Sequence, residues 1–109
     1  MCSEFVVEFS ELEEVVQDEL LAQLHLLKCI GPALGRPHVD TLKGSMYPNM
    51  KELRFNAAGG VWRVAFAFDR YRSALLLAAG NKAGISERRF YRSLIDRADE
   101  RFDRHLSRG

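Results

Sequence analysis

The chain has 109 residues, 47% of them hydrophobic and 28% charged, which argues against intrinsic disorder and predicts a single domain over residues 1–109. Its net charge of +1 divides into −6 for residues 1–30, with seven acids and one lysine, and +7 for residues 31–109. No apolar run could span a bilayer, no secretory signal is evident, and Cys2 and Cys29 make no disulfide framework, so we expect a cytoplasmic protein without membrane association.

The first thirty residues predict a strand followed by a helix. Glu4–Phe9 is rich in β-forming residues and is interpreted as the strand. Ser10, with a glutamate three residues later, fits a capping box, and apolar residues at three- and four-residue steps predict a helix from there to about Ile30. Gly31-Pro32 ends the helix because proline cannot continue the hydrogen-bond ladder. Residues 31–41 are expected to form an irregular connection.

The middle of the chain predicts an antiparallel meander. Polar and apolar residues alternate over 52–57 and again over 62–68, and Ala58-Gly59-Gly60 between them tolerates the positive φ of a hairpin turn. A third strand, Ala74–Ala79, is almost wholly apolar, as expected of a strand flanked on both sides within a sheet.

The last part of the chain predicts a helix that Ser86 can cap and that runs to about Leu106. Its apolar stripe consists of Phe90, Leu94, Ala98 and Phe102. The predicted fold class is therefore α+β: an antiparallel β-sheet meander with an N-terminal helix or helices packed on one face and a C-terminal helix.

Several chemistries are not expected. The three histidines and two cysteines lack the spacing of a zinc site, and the glycines match neither a P-loop nor a dinucleotide fingerprint, so no metal and no cofactor are predicted. His38 and Asp40 are reminiscent of part of a catalytic triad, but they lie in the Pro/Gly-rich connection, and His38 is interpreted as a loop histidine.

A set of cations with one tyrosine remains as the candidate site. Arg63 is the most informative, because alternation places it with Ala65 and Ala67 on the face opposite Trp62, where its guanidinium could reach a phosphate over a smooth, shallow surface. The alternative is a cross-strand ion pair with Glu52, worth about 0.2–1 kcal/mol. The other candidates are Lys43, Lys51, Arg54, Lys82 and Tyr91.

Metal-free RNA cleavage would require a base for the 2′-hydroxyl, a cation for the pentacoordinate phosphate and an acid for the departing 5′-oxygen. Arg63 and Arg54 suit the phosphate, because arginine stays charged at physiological pH. Lys82 or Tyr91 could transfer protons only with strongly lowered pKa values, which neighbouring cations would favour. Glu52 is the nearest candidate base by position.

Five groups of residues occur in consistent order over about residues 15–106: Leu34–Pro37 with Asp40–Ser45, Met50–Arg54, Trp62–Val64, Gly80–Lys82, and Arg89–Tyr91 with Ala98-Asp99. Together they resemble the phage-derived, HigB-like branch of the RelE/ParE toxin superfamily. The resemblance implies a sheet with two N-terminal helices on one face and an RNA-facing groove on the other. It also implies cleavage of ribosome-bound mRNA without metal or organic cofactor, and inhibition by a cognate antitoxin with a helix-turn-helix domain.

Carried over by position, the resemblance assigns catalytic roles to Arg63, Lys82 and Tyr91. Arg63 resembles the phosphate-stabilising arginine, Lys82 the cation after the last strand, and Tyr91 the aromatic that stacks on a base or assists proton transfer. Substrate binding falls to Lys43, Lys51 and Arg54. One departure is that Lys82 is followed by Ala83, where many relatives have a second lysine. Two alternatives stay open: a toxin of the same fold that binds DNA gyrase, and a non-enzymatic module that binds nucleic acid or antitoxin.

Overall fold

A computed structural model describes residues 1–108 as a four-stranded antiparallel sheet covered by helices on both faces. The strands lie in the order β1-β2-β3-β4. This arrangement confirms the predicted α+β meander with N-terminal and C-terminal helices. The elements are α1 (Ser3–Ser10), α2 (Glu14–Ile30), a 3-10 turn (Gly31–Ala33), β1 (Val39–Thr41), β2 (Lys51–Ala57), β3 (Gly60–Phe68), β4 (Ala74–Asn81) and α3 (Glu87–Ser107).

The predicted N-terminal strand was wrong, because Glu4–Phe9 lies within helix α1. Phe5 is fully buried against the sheet while Val6 and Val7 are 51% and 59% exposed, so the apolar residues do not share one face of a strand. Just before the helix, the backbone N–H of Cys2 donates to the carbonyl of Leu76 on the outer edge of β4. Packing against β4 therefore overrides the β propensity of this segment, which is a weak preference.

The end of α2 was predicted correctly and its beginning was not. The helix stops at Ile30, and Gly31 follows with a φ of 76° that favours glycine. Ser10 does not cap α2: its hydroxyl donates to the carbonyl of Val7 in α1, and α2 begins at Glu14 without a side-chain cap. The connection expected to be irregular contains the 3-10 turn and strand β1.

The hairpin between β2 and β3 has the predicted turn. Ala58 and Gly59 both have positive φ, 50° and 74°, as a two-residue turn of type I′ requires. The register pairs Arg54 with Arg63. Because paired residues of neighbouring strands point to the same face, Glu52 and both arginines lie on one face of the sheet and Lys51 on the other.

Two cores cover the two faces of the sheet. α1 and α2 pack on one face around Phe5, Leu20 and Phe66. α3 packs on the other face, where the stripe predicted from Phe90 to Phe102 is buried against Ala65 and Ala67 among others. α3 covers the part of this second face where the small alanines lie, so a groove is left only beside the first turn of α3.

Strand β4 is an edge strand, contrary to the prediction that it lies inside the sheet. Its apolar sequence instead reflects helices on both of its faces. Side chains of α3 cover part of its outer edge: Arg101 donates to the carbonyl of Leu77 at 2.8 Å and Arg97 to that of Ala79 at 3.3 Å. This protection is one way in which proteins block pairing with other chains.

Helix α3 begins as predicted, with the hydroxyl of Ser86 accepting a hydrogen bond from the backbone of Arg89. Its first turn lies next to the end of β4, and Gly80 permits this approach, since a Cβ there would lie 2.7 Å from the ring of Phe90. None of the helices described is long and apolar enough to cross a membrane.

Candidate functional site

A cleft of about 260 Å³ opens beside the first turn of α3, next to the segment that leaves β1 and the face of β2. We call it the α3 cleft. It brings together four of the six predicted site residues and three carboxylates. Its lining comprises Lys43, Arg54, Lys82 and Tyr91 with Asp40, Glu52 and Glu87, and also Thr41 and Leu42.

Glu52 is the centre of this group, although it is only 6% exposed. The hydroxyl of Tyr91 donates to its Oε1 at 2.8 Å, and the Nε atoms of Arg63 and Arg54 lie 3.2 Å and 3.5 Å from the same oxygen. Arg54 and Arg63 are direct cross-strand neighbours, and like charges in that position repel. The buried carboxylate offsets this repulsion and holds both guanidinium groups and the phenol in place.

Arg63 is buried, with 7% of the residue exposed, so the prediction that it projects over an open surface was wrong. Alternation gave its face correctly but could not show that α3 covers that face. The alternative of an ion pair with Glu52 is confirmed. Arg63 Nη1 also donates to the carbonyl of Trp62 at 2.8 Å, whereas its Nε–H is poorly aligned with Glu52 and makes no hydrogen bond despite the short distance.

Tyr91 lies at the wall of the α3 cleft, and its pKa is raised, so the lowered pKa on which proton transfer by Tyr91 was expected to depend is not found. Burial is the largest cause, followed by the hydrogen bond to Glu52, while the charge of Arg63 acts in the opposite direction. The phenol therefore keeps its proton at neutral pH. It can donate a hydrogen bond or act as an acid, but it is unsuited to take a proton from a 2′-hydroxyl.

Lys82 is engaged by a carboxylate at the mouth of the cleft. Its Nζ lies 2.8 Å from Oε1 of Glu87 and 5.9 Å from the centre of the Tyr91 ring. The hydrogen bond and charge of Lys82 lower the pKa of Glu87, so the Glu87 carboxylate is ionised at neutral pH. Glu87 is exposed and Lys82 mostly covered, so the carboxylate is the partner on the solvent side.

We predict that Glu87→Gln strengthens anion binding. The Glu87 carboxylate now occupies a position on Lys82 that a phosphate would need, and exposed pairs of this kind are weak. Affinity for an RNA made uncleavable by a 2′-deoxy residue should rise, by up to about fivefold at low salt, when measured by fluorescence anisotropy. The control is Glu100→Gln, which removes an equally exposed charge bound to Arg104 on α3. Equal effects of the two substitutions would contradict a specific role of Glu87.

The loop after β1 is fixed to α3, which places Lys43 at the cleft. Asp99 accepts hydrogen bonds from the hydroxyl of Ser45 at 2.5 Å and from the backbone of Met46 at 3.0 Å. Tyr47 donates to Asp103 at 2.9 Å. Asp99 and Ser45 belong to two of the motifs that carry the resemblance. Their side chains are hydrogen-bonded although 53 residues lie between them in the sequence, so the two motifs meet in the folded protein.

The six predicted site residues are not all in one place. Lys43, Arg54, Lys82 and Tyr91 line the α3 cleft, and Arg63 lies beneath it in contact with Glu52. Lys51 is on the opposite face, since it pairs in register with Phe66 of the α1–α2 core. The sequence did not single out Glu87, and it gave Asp99 only as part of a motif, without a role in the site. Within residues 1–108, no group of three or more His, Cys, Asp or Glu side chains is arranged to hold a metal ion.

The fold and the cleft thus define a class: an α+β protein with a tyrosine-bearing cleft, lined by three basic and three acidic side chains, at the start of its C-terminal helix. Residues 7–103 match the model of the family described as phage derived protein Gp49-like, and the chain belongs to that family.

Two relatives from Mycobacterium tuberculosis agree with this assignment. The chain is 45% identical over 97 residues to "Putative toxin HigB2", covering 88% of this chain and 48% of that protein. It is 41% identical over 99 residues to "Putative toxin HigB3", covering 91% of this chain and 84% of that one. The chain therefore spans about half the length of the first relative. No solved structure matches. These findings confirm the resemblance to the phage-derived, HigB-like branch.

Proposed function

We propose that this protein is the toxin of a type II toxin–antitoxin pair, and that it cleaves ribosome-bound mRNA in the cytoplasm without a metal ion. The toxin names of the two relatives support the first part. The observation that carries the second is the α3 cleft, where Lys43, Arg54 and Lys82 converge beside a protonated tyrosine. Its proposed antagonist is a cognate antitoxin with a helix-turn-helix domain.

In the proposed reaction, Arg54 and Lys82 bind the scissile phosphate and stabilise the charge that grows on its oxygens. The 2′-hydroxyl attacks this phosphate and the 5′-oxygen departs, which leaves a 2′,3′-cyclic phosphate and a 5′-hydroxyl. Tyr91 would donate to the departing oxygen, because its protonated hydroxyl lines the α3 cleft; the hydrogen bond that it now donates to Glu52 would be exchanged for one to the RNA. Lys43, at the rim, would bind a neighbouring phosphate.

Glu52 and Arg63 have a supporting role in this proposal. Glu52 is buried and already accepts a hydrogen bond from Tyr91, so it does not suit the general base suggested by its position. Arg63 acts through Glu52, which makes it a positioning residue for Arg54 and Tyr91 rather than a direct phosphate ligand. The other two carboxylates of the cleft, the partly exposed Asp40 and the exposed Glu87, remain for the 2′-hydroxyl proton.

The experiment is induced expression in a translating extract with mapping of mRNA ends. We expect new ends that carry 2′,3′-cyclic phosphate and 5′-hydroxyl groups, in ribosome-associated messages. Purified protein incubated with naked RNA and chelator tests separately whether cleavage needs the ribosome or a metal. Intact mRNA with relaxed or cleaved DNA would replace this proposal with gyrase inhibition. Intact mRNA without growth arrest would exclude both toxin activities and leave the non-enzymatic module that binds nucleic acid or antitoxin.

A further inference from the structure

A second cleft, of about 390 Å³, adjoins the α3 cleft across Arg54. We propose that it binds the nucleobase next to the scissile phosphate and that Asn56 reads the edge of that base. This inference deepens the proposed function and rests on it. We call this feature the β2-edge cleft; it is lined by Pro37, His38, Arg54, Phe55, Asn56 and Arg63 on the sheet side and by Glu19 and Gln23 of α2.

The cleft exists because β2 continues beyond its pairing with β1. β1 pairs with β2 only as far as Leu53, and the last backbone contact is the N–H of Arg54 donating to the carbonyl of His38 at 2.8 Å. In an antiparallel ladder every second residue directs its N–H and C=O to the same neighbour. The backbone of Asn56 therefore points outward on this side, where the chain before His38 has turned away and no strand is paired with it.

The side chains around this open edge suit a base rather than a phosphate. Asn56 is exposed, and its side chain makes no hydrogen bond to residues 1–108, so both the donor and the acceptor of its amide are free. A primary amide can pair with the edge of a base through both groups at once. Pro37 and the guanidinium of Arg54 offer flat surfaces, and arginine planes stack on unpaired bases of RNA. Gln23 adds a carbonyl oxygen that is buried without a partner.

The arrangement also favours RNA over an extended peptide as the occupant. A peptide could add a strand to the open edge of β2. However, the lining of the β2-edge cleft contains two arginines, Arg54 and Arg63, and only one acid, Glu19. Arg54 also lines the α3 cleft. The guanidinium of Arg54 thus lies between the two clefts. A nucleotide could occupy both clefts at once, because its phosphate and its base lie on either side of its sugar. A single strand could therefore place its phosphate at Lys82 and its base at Asn56.

The test compares the protein with its Asn56→Ala variant on mRNA with a randomised coding segment in a translating extract, and the base beside each new mRNA end is counted. We expect the unchanged protein to prefer one base beside the cut by about five- to 150-fold, the range that bidentate readout of a base produces. Asn56→Ala should lose this preference, because cleavage beside the preferred base should fall to the rate seen beside the other three bases, while cleavage beside those three stays within about threefold. Asn49→Ala is the matched control, since Asn49 is exposed and lines neither cleft.

A binding measurement separates the failure of this inference from the failure of the proposed function. Short RNA trinucleotides are titrated into isotope-labelled protein while the NMR signal of the Asn56 side-chain amide is followed. A base-dependent shift without any cleavage would overturn the nuclease and keep the base-binding cleft. Cleavage with an unchanged preference in Asn56→Ala, or a shift caused by an extended peptide and not by RNA, would overturn the base-binding cleft.

Discussion

Replacing Arg63 with alanine is expected to lower the free energy of unfolding by about 3 kcal/mol, the lower end of the cost of breaking a buried ion pair. Glu52 would remain buried with a partly exposed arginine, Arg54, 3.5 Å away and with the Tyr91 hydroxyl. Those two partners are the reason to expect the lower end of the range. A loss of this size is a large fraction of the roughly 5–15 kcal/mol that stabilises a small domain. Urea unfolding followed by fluorescence measures it, since the single tryptophan, Trp62, adjoins Arg63.

A double-mutant cycle identifies the cause. Replacing both partners, as Glu52→Gln with Arg63→Met, removes the buried charges together and should recover much of the lost stability. The control is Arg92→Ala, an exposed arginine that follows Tyr91 in α3, which should change stability by no more than about 0.5 kcal/mol. A change that small in Arg63→Ala itself would mean that Arg63 is on an open surface after all.

This prediction alters how a loss of toxicity is interpreted. If Arg63→Ala abolishes toxicity, partial unfolding explains the result as well as a missing catalytic group does. A substitution that leaves the fold intact is needed to test the chemistry. Lys82 meets that requirement because its ion-pair partner, Glu87, is exposed to solvent.

Much of the fold follows from local patterns. The alternation in β2 and β3, the turn at Ala58 and Gly59, and the apolar stripe of α3 each require only neighbouring residues to be interpreted. The prediction of a strand over Glu4–Phe9 was wrong because the structure of this segment does not depend on neighbouring residues alone. Its helix is stabilised by distant groups, because Glu8 pairs with Arg101, and Cys2 bonds to the edge of β4.

The sequence predicted most of the residues that form the site, but it did not predict how they are arranged in space. Alternation correctly gave the faces of Arg54 and Arg63, and the motif order identified Lys82 and Tyr91 as candidates. No local pattern shows that α3 closes over Arg63, that Glu52 binds three groups, or that Glu87 reaches Lys82. Those facts depend on the approach of α3 to the sheet. The raised pKa of Tyr91 could not be predicted for the same reason, since its burial and its carboxylate partner come from that packing.

Replacing Lys82 with alanine is expected to reduce the rate of RNA cleavage by about 10²–10³-fold, the usual cost of removing one electrostatic stabiliser of a transition state. The effect should appear in single-turnover cleavage at saturating protein, because Lys82 acts on charge that develops during the reaction. Stability should change little, and the same urea unfolding experiment checks that. A loss of RNA affinity with an unchanged cleavage rate of the bound RNA would contradict this role and make Lys82 a binding residue only.

Lys51→Ala is the matched control for this substitution. Both changes remove one lysine charge, and both residues follow from the same resemblance, but the structure places Lys51 on the α1–α2 face and Lys82 at the α3 cleft. A general weakening of attraction to a polyanion would affect both variants similarly and would diminish as salt is added. A specific phosphate site predicts a large loss for Lys82→Ala, a small one for Lys51→Ala, and a difference that persists at high salt. Equal losses would show that the basic surface attracts RNA without a defined reaction site.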